Sequence, residues 1–168
     1  MNTCRDCLVI IDVQEGFLSE ETRQIPKRIE ALLQKRTFAH VVGTQFINEA
    51  DSPFCKLMGW NGLMDAASQK VDAYVQSVCE RIFVKKTYSC FTEEFEHFLK
   101  ENQIEKLYFT GIDTDCCVLQ SATDCFERNI PFEVLLYYCA SNGGADSEEA
   151  ALRVMRRTIG TACMNCLP

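Results

Sequence analysis

Short apolar runs rich in β-branched residues recur along the chain, and segments with a helical spacing of apolar residues lie between them. Runs of this kind are typical of strands that are covered on both faces of a sheet. They predict five strands, over residues 7–13, 38–46, 81–85, 104–110 and 131–139. We expect a sixth, short edge strand over residues 161–164.

The intervening segments predict helices, because their apolar residues return every three or four positions. Thr92 is suited to cap one of these helices, and Asn129 to end another. We expect a last helix to begin at Asp146 or Ser147 and to end before Gly160. The other predicted helices cover residues 24–36, 63–79 (in one or two pieces), 92–102 and 114–128, and residues 48–62, rich in proline and glycine, are expected to form a loop.

Strands that alternate with helices predict a mostly parallel sheet with helices on both faces. The expected fold is therefore a three-layer α/β/α, Rossmann-like domain with six strands. The chain has 168 residues, which is enough for one domain with a substantial core. We expect residues 1–168 to form that single domain.

The net charge of the chain limits the classes of partner that it could bind. The 17 basic and 24 acidic residues give a net charge of -7, and no basic block exceeds a pair such as Lys85-Lys86. This argues against nucleic acid or an anionic membrane as a partner. The first ten residues lack the layout of a signal peptide, and no apolar run has membrane-spanning length. We therefore expect a soluble, cytoplasmic protein.

Cysteine is unusually frequent, with 11 residues. The chain is too long and too apolar for a disulfide scaffold, so we expect reduced thiols that mostly serve as small packing residues. The pairs Cys4-x-x-Cys7 and Cys163-x-x-Cys166 resemble zinc motifs. The first pair lies at the start of a central strand and the second at an edge strand, so we expect them to stay apart. We predict no metal and no cofactor.

Three reactive residues fall at the carboxyl ends of predicted strands. Asp12 ends the first strand, Lys85 ends the third, and Cys116-Cys117 follow the fourth. Ligands of parallel α/β sheets bind beyond these strand ends. The topology therefore predicts that a carboxylate, an ammonium and a thiol lie at one edge of the sheet.

Each of these residues also has an ordinary structural interpretation. Asp12 could cap a turn, Lys85 could be a solvated charge like Lys86, and Cys117 could be a small core residue. The position of Cys117 in the first turn of a helix favours a reactive role, because unpaired N–H groups there lower a thiol pKa and can hold an oxyanion. We interpret Cys116 as packing, since successive helix residues diverge by about 100°.

Three motifs in this order resemble the isochorismatase-like cysteine hydrolases, the superfamily that includes nicotinamidases and N-carbamoylsarcosine-type amidohydrolases. They are Asp12-Val13-Gln14 with Phe17, Lys85-Lys86-Thr87-Tyr88-Ser89-Cys90-Phe91, and Gly111-Ile112-Asp113-Thr114-Asp115-Cys116-Cys117-Val118. The resemblance extends over nearly the whole chain.

The resemblance implies a catalytic triad of Asp12, Lys85 and Cys117. It also implies a cis peptide bond between Ile112 and Asp113, and an oxyanion hole made by the N–H groups of Asp113 and Cys117. The substrate pocket would be lined by Phe17, Trp60 and Tyr88.

Two departures refine the expected function. Residues 44–51, where nicotinamidases of this family carry a histidine-containing metal motif, hold no histidine. True isochorismatases of the family lack the nucleophilic cysteine, so Cys117 favours acyl chemistry. We expect a metal-independent hydrolase that cleaves a C–N bond of a small amide- or ureide-like compound through a thioester, and that forms a dimer or tetramer. The alternatives are a redox-responsive or non-catalytic cysteine-rich protein, and a vinyl-ether hydrolase.

Overall fold

The computed structural model describes residues 5–168. Six strands form one sheet with the order β3-β2-β1-β4-β5-β6, and every pair of neighbouring strands is parallel. This confirms the predicted Rossmann-like α/β fold. The strands are β1 Asp6–Ile11, β2 His40–Phe46, β3 Arg81–Lys85, β4 Lys106–Ile112, β5 Phe132–Ala140 and β6 Met164–Asn165.

Within residues 5–168, seven α-helices connect and cover these strands. They are α1 Ile25–Lys35, α2 Pro53–Lys56, α3 Ala66–Gln69, α4 Ala73–Val78, α5 Glu93–Glu101, α6 Leu119–Glu127 and α7 Gly144–Thr158. Single turns of 3-10 helix occupy Glu15–Phe17 and Thr161–Cys163, and a π-helical turn occupies Thr114–Val118. None of the helices within residues 5–168 combines the length and hydropathy needed to cross a membrane.

The central strand β1 is buried along its whole length, and its residues alternate between two cores. Val9 and Ile11 pack with side chains of α5, α6 and α7 on one face of the sheet. Leu8 and Ile10 pack with side chains of α1 and α4 on the other face. Because a strand turns successive side chains to opposite faces, the unbroken apolar run of β1 supplies both layers.

The segment 63–79 breaks into α3 and α4 for local reasons. The carboxylates of Asp65 and Asp72 each accept hydrogen bonds from N–H groups of the following turn, so each begins its own helix. Between the two helices, Val71 forms an isolated bridge with Gln14. The predicted loop 48–62 likewise contains a helical turn, α2, capped by the hydroxyl of Ser52.

Two predicted boundaries near the carboxyl terminus were wrong. Helix α7 begins at Gly144, so Asp146 lies inside its first turn and neither Asp146 nor Ser147 is the cap. The edge strand β6 is displaced to Met164–Asn165 because residues 161–163 form a 3-10 turn, although it does pair with β5 at the edge as expected.

Gly111 is held in a place that no side chain could share. It pairs with Ile11, its φ is +118°, and a Cβ there would lie 2.1 Å from the carbonyl oxygen of Ile11. We expect Gly111→Ala to lower the free energy of unfolding by on the order of 3–4 kcal/mol. The control is Gly59→Ala, where φ is +71° but nothing lies within 4 Å, and a loss of about 1 kcal/mol is expected. Urea unfolding of both variants measures the difference, and equal losses would contradict the proposed steric cause.

Candidate active site

Asp12, Lys85 and Cys117 lie together at the carboxyl edge of the sheet. The Nζ atom of Lys85 is 2.7 Å from Oδ2 of Asp12 and 3.4 Å from Sγ of Cys117. The side chains of Asp12 and Lys85 are fully buried, and Cys117 is 6% exposed. The structure therefore brings the three predicted residues together, with the ammonium in contact with both the carboxylate and the thiol.

Asp12 is aimed by its backbone and by a neighbouring hydroxyl. Its φ of +48° turns the chain sharply as β1 ends. The Thr44 hydroxyl accepts a hydrogen bond from the Asp12 N–H at 3.1 Å and donates one to Oδ1 at 2.6 Å. The other oxygen, Oδ2, contacts Lys85 but accepts no hydrogen bond of favourable geometry. It is therefore open to accept a proton.

Lys85 is held as an ammonium ion. Its Nζ donates to the carbonyl oxygens of Thr87 at 2.8 Å and Tyr88 at 3.0 Å. Burial alone would lower the pKa of Lys85, but the Asp12 carboxylate and the sulfur of Cys117 raise it above its ordinary value. This fixed positive charge beside Cys117 would stabilise negative charge on the sulfur.

Burial and neighbouring charges shift the pKa of the Cys117 thiol upward. Burial and the charge of Asp12 raise its pKa well above the ordinary value, and Lys85 offsets only part of this. The expected lowering of the thiol pKa by a helix start was therefore wrong. The predicted helix 114–128 begins with the π turn Thr114–Val118, which the carbonyl of Asp113 closes by accepting hydrogen bonds from the N–H groups of Cys116 and Val118.

The interpretation of Cys116 as a packing residue was also wrong. Cys116 and Cys117 both line the same pocket. The pi-helical turn differs from the regular α-helix on which the 100° divergence was based. Burial and the carboxylates of Asp115 and Asp113 raise the pKa of Cys116 to about 11.

The pocket above these residues is largely aromatic. It has a volume of about 240 Å³, and Phe17, Trp60 and Tyr88 all line it as expected. The rings of Phe17 and Trp60 stack in parallel, with centroids 6.1 Å apart and planes at 3°. The remaining lining residues are Gly16, Phe46, Phe54, Met58, Asp113, Cys116, Cys117 and Asn142.

Two residues of the site, Thr44 and Asn142, were not predicted from the sequence. Thr44 lies next to the carboxyl end of β2, and Asn142 follows β5 after Ser141. Asn142 binds the carboxylate of Asp113 through its backbone and side chain and lines the pocket. The rule that selected Asp12 and Lys85, polar residues at the carboxyl ends of parallel strands, would have found both.

The residues where the family's nicotinamidases carry a metal motif do not fit a metal ion. The side-chain amide of Asn48 donates a hydrogen bond to the carbonyl oxygen of Gly62 and accepts one from the Ser52 hydroxyl. The carboxylate of Glu49 forms an ion pair with Lys86. Across residues 5–168 no cluster of three or more His, Cys, Asp or Glu could hold a metal. Of the two cysteine pairs, Cys4 lies outside the described residues, while Cys7 is in β1 and Cys163 lies beside β6, with the two strands β4 and β5 between them.

Asp113 places a carboxyl group on the lining of the pocket. The peptide bond before it is cis. Burial raises the pKa of its carboxyl to about 6, with Asp115 and Asp12 adding to the shift and hydrogen bonds from Asn142 opposing it. Because this pKa is above the ordinary value, the folded chain binds a proton more tightly than the unfolded chain. The stability contributed by that proton is therefore lost as pH rises from about 4 to 6.

We expect Asp113→Asn to be more stable than the native chain at pH 8 by about 1–2 kcal/mol, a value reduced from the full shift because the carboxyl is partly solvated. The amide oxygen keeps the acceptor for Asn142, and the charge is gone. Near pH 4 the difference should vanish. Urea unfolding of both proteins at the two pH values tests this, and a variant that is less stable at pH 8 would show that the ionised carboxylate stabilises the fold.

The molecule is an α/β protein whose site is built from the ends of parallel strands. A buried thiol, a carboxylate and an ammonium meet there at the carboxyl edge of the sheet. The chain belongs to the isochorismatase domain family, whose model matches residues 6–165. This confirms the family resemblance drawn from the three motifs.

Individual relatives agree with this placement. Isochorismatase family protein 1A of Dictyostelium discoideum is 36% identical over 80 residues, which is 46% of this chain and 38% of that relative. The match thus spans well under half of the relative's length. Among solved structures, a nicotinamidase from Bacillus subtilis superposes with a TM-score of 0.79 at 23% identity, covering 96% of this chain and 99% of that one. An isochorismatase-like hydrolase from Alkaliphilus metalliredigens gives 0.78 at 17% identity, with 91% of each chain covered. At these identities the structural matches establish the fold.

Proposed function

We propose that this protein is a metal-independent hydrolase that cleaves the C–N bond of a small amide through a thioester on Cys117. The observation that carries the proposal is the contact of one buried ammonium with both a carboxylate and a pocket-facing thiol. The family placement and the nicotinamidase among the structural neighbours are consistent with amide chemistry.

The first half of the reaction forms the acyl-enzyme. The Cys117 sulfur attacks the amide carbonyl, and its proton passes to the open Oδ2 of Asp12, so that the S–H bond breaks as the S–C bond forms. The backbone N–H groups of Asp113 and Cys117 stabilise the oxyanion. Asp12 then returns the proton to the amide nitrogen, the C–N bond breaks, and ammonia or an amine leaves.

The second half restores the thiol. Asp12 accepts a proton from water as the water oxygen attacks the thioester carbonyl, and the carboxylic acid leaves as the S–C bond breaks. The sulfur then recovers its proton from Asp12. Lys85 remains an ammonium throughout, keeps Asp12 ionised between steps and stabilises negative charge on sulfur. Thr44 is a positioning residue that fixes the orientation of the Asp12 carboxylate.

A neutral resting thiol suits this cycle. A sulfur with a raised pKa is a poor target for general alkylating reagents, and it becomes nucleophilic only as Asp12 removes its proton. This argues against Cys117 itself as an oxidant-sensing residue, because such a residue needs an accessible thiolate.

A panel of small aromatic and aliphatic amides, assayed for ammonia release, tests the proposal. We expect at least one flat amide that fits a cavity of about 240 Å³ to be hydrolysed. After a brief reaction and an acid quench, mass spectrometry should find the acyl group on the peptide that carries Cys117. An acyl group on another residue would refute the mechanism, and turnover of vinyl ethers alone would refute the reaction class.

A further inference from the structure

The pocket carries one formal charge on its lining, and it is negative. Asp113 is the acidic lining residue, and no Lys, Arg or His is among the residues that line the cavity within the described chain. The nearby ammonium of Lys85 does not compensate, because its side chain is fully buried and paired with Asp12 at 2.7 Å. A bound molecule therefore meets a carboxylate without a matching cation.

The carboxylate is held in place by a network of its own. Its Oδ1 accepts hydrogen bonds from the backbone N–H of Asn142 at 2.8 Å and from the side-chain Nδ2 at 2.7 Å. The same Nδ2 also donates to the carbonyl oxygen of Phe17 at 3.1 Å. Asn142 thus connects Asp113 to Phe17, another lining residue, and the carboxylate cannot turn away without breaking both contacts with Asn142.

The negative charge of Asp113 acts on groups inside the pocket. Cys116 lines the cavity, and the Asp113 carboxylate is among the charges that raise the pKa of its thiol. The aromatic residues of the lining add to the same preference. The lining contains five aromatic rings, and the electron-rich face of such a ring attracts cations; they are Phe17, Phe46, Phe54, Trp60 and Tyr88.

We infer that this pocket selects amides whose non-reacting part is a flat, apolar group that is uncharged or positively charged, and that it rejects amides bearing a carboxylate. The inference rests on the proposed function and defines its substrate class. It follows from Asp113 and from the lack of a basic residue on the pocket lining.

Two pairs of compounds separate the effect of ligand charge on binding from the effect of ligand shape. Within each pair the shapes match and the charges differ. The 1-methylpyridinium-3-carboxamide cation has the shape of neutral 3-methylbenzamide, and the 3-carbamoylbenzoate anion has the shape of neutral 3-nitrobenzamide. Binding is measured by calorimetry at pH 8 in the Cys117→Ala variant, where turnover does not interfere. The fluorescence of Trp60, the single tryptophan of the chain, reports that the pocket is occupied.

We expect the cation to bind about tenfold more tightly than its neutral partner, and the carboxylate about tenfold more weakly than the nitro compound. Adding Asp113→Asn should bring both ratios to within about threefold of unity. Adding Asp51→Asn, which removes an exposed carboxylate away from the pocket lining, should leave both ratios unchanged. Ratios near unity with Asp113 intact, a preference for the carboxylate, or no binding of any of the four compounds would overturn the inference.

Turnover by the native protein separates this inference from the proposed function. Hydrolysis of all four amides with equal kcat/KM would leave the hydrolase proposal standing and refute the charge selection. Binding ratios as expected without release of ammonia from any amide would support the charge selection and count against the hydrolase.

Discussion

Cys117→Ala is expected to lower kcat/KM for any amide substrate by at least about 10³-fold, because the variant has no atom to form the thioester. The side chain packs among the core residues on the face of the sheet that carries α5 and α6. Losing one sulfur there should cost only about 1 kcal/mol of unfolding free energy. Ammonia release gives the rate, and urea unfolding gives the stability.

Two other cysteines make this test specific. Cys166→Ser changes an exposed thiol near the chain end and should leave kcat/KM unchanged. Cys116→Ser changes the adjacent thiol, which lines the pocket but makes no hydrogen bond to Lys85. We expect it to retain activity within about tenfold, since it keeps the nucleophile. A fully active Cys117→Ala variant would remove the mechanism, and an inactive Cys116→Ser variant with normal Cys117→Ala activity would move the reaction to the neighbouring thiol.

Lys85→Met is expected to lower the free energy of unfolding by about 3–5 kcal/mol, because it leaves the buried carboxylate of Asp12 without its cation. The same change should lower kcat/KM by at least about 10²-fold, since it removes the cation that contacts both the Asp12 carboxylate and the Cys117 sulfur. Urea unfolding and the amide assay measure the two effects.

Lys86→Met is the matched control for this prediction. Lys86 is the next residue in the chain, is mostly exposed and pairs with Glu49 at the surface, so we expect a change below about 1 kcal/mol and full activity. The double variant Asp12→Asn/Lys85→Met removes both charges and should recover most of the lost stability without any activity. Recovery of activity in the double variant would show that the ion pair serves the fold alone.

Much of the fold was predictable because it depends on patterns that are local in the chain. The apolar run of β1 and the helical spacing of α1 and α5 placed these elements within two residues of their observed ends. Helix α5 even uses the predicted cap, since the hydroxyl of Thr92 accepts a hydrogen bond from the N–H of Phe95. The errors lie where a side-chain cap competes with continuation of the helix. The carboxylates of Asp65 and Asp72, for example, each begin a separate helix.

The site was predictable only in part. The rule for strand ends brought Asp12, Lys85 and Cys117 to one edge, and the family resemblance supplied Phe17, Trp60 and Tyr88. Two properties depend on contacts between elements distant in sequence, and no local pattern encodes these. One is the protonation state of Cys117, which is set by burial and by Asp12 across the sheet. The other is the placement of Asn142 against Asp113.

The order of strands in the sheet has a consequence for how activity would return during refolding. Asp12, Thr44, Lys85 and Cys117 come from β1, β2, β3 and the turn after β4, which are neighbours in the sheet but far apart along the chain. Parallel strands pair only after long crossover segments have closed, which makes such pairings slow. Enzymatic competence should therefore be acquired late, after most helical circular dichroism has recovered, and a partly assembled sheet would already be compact while still inert.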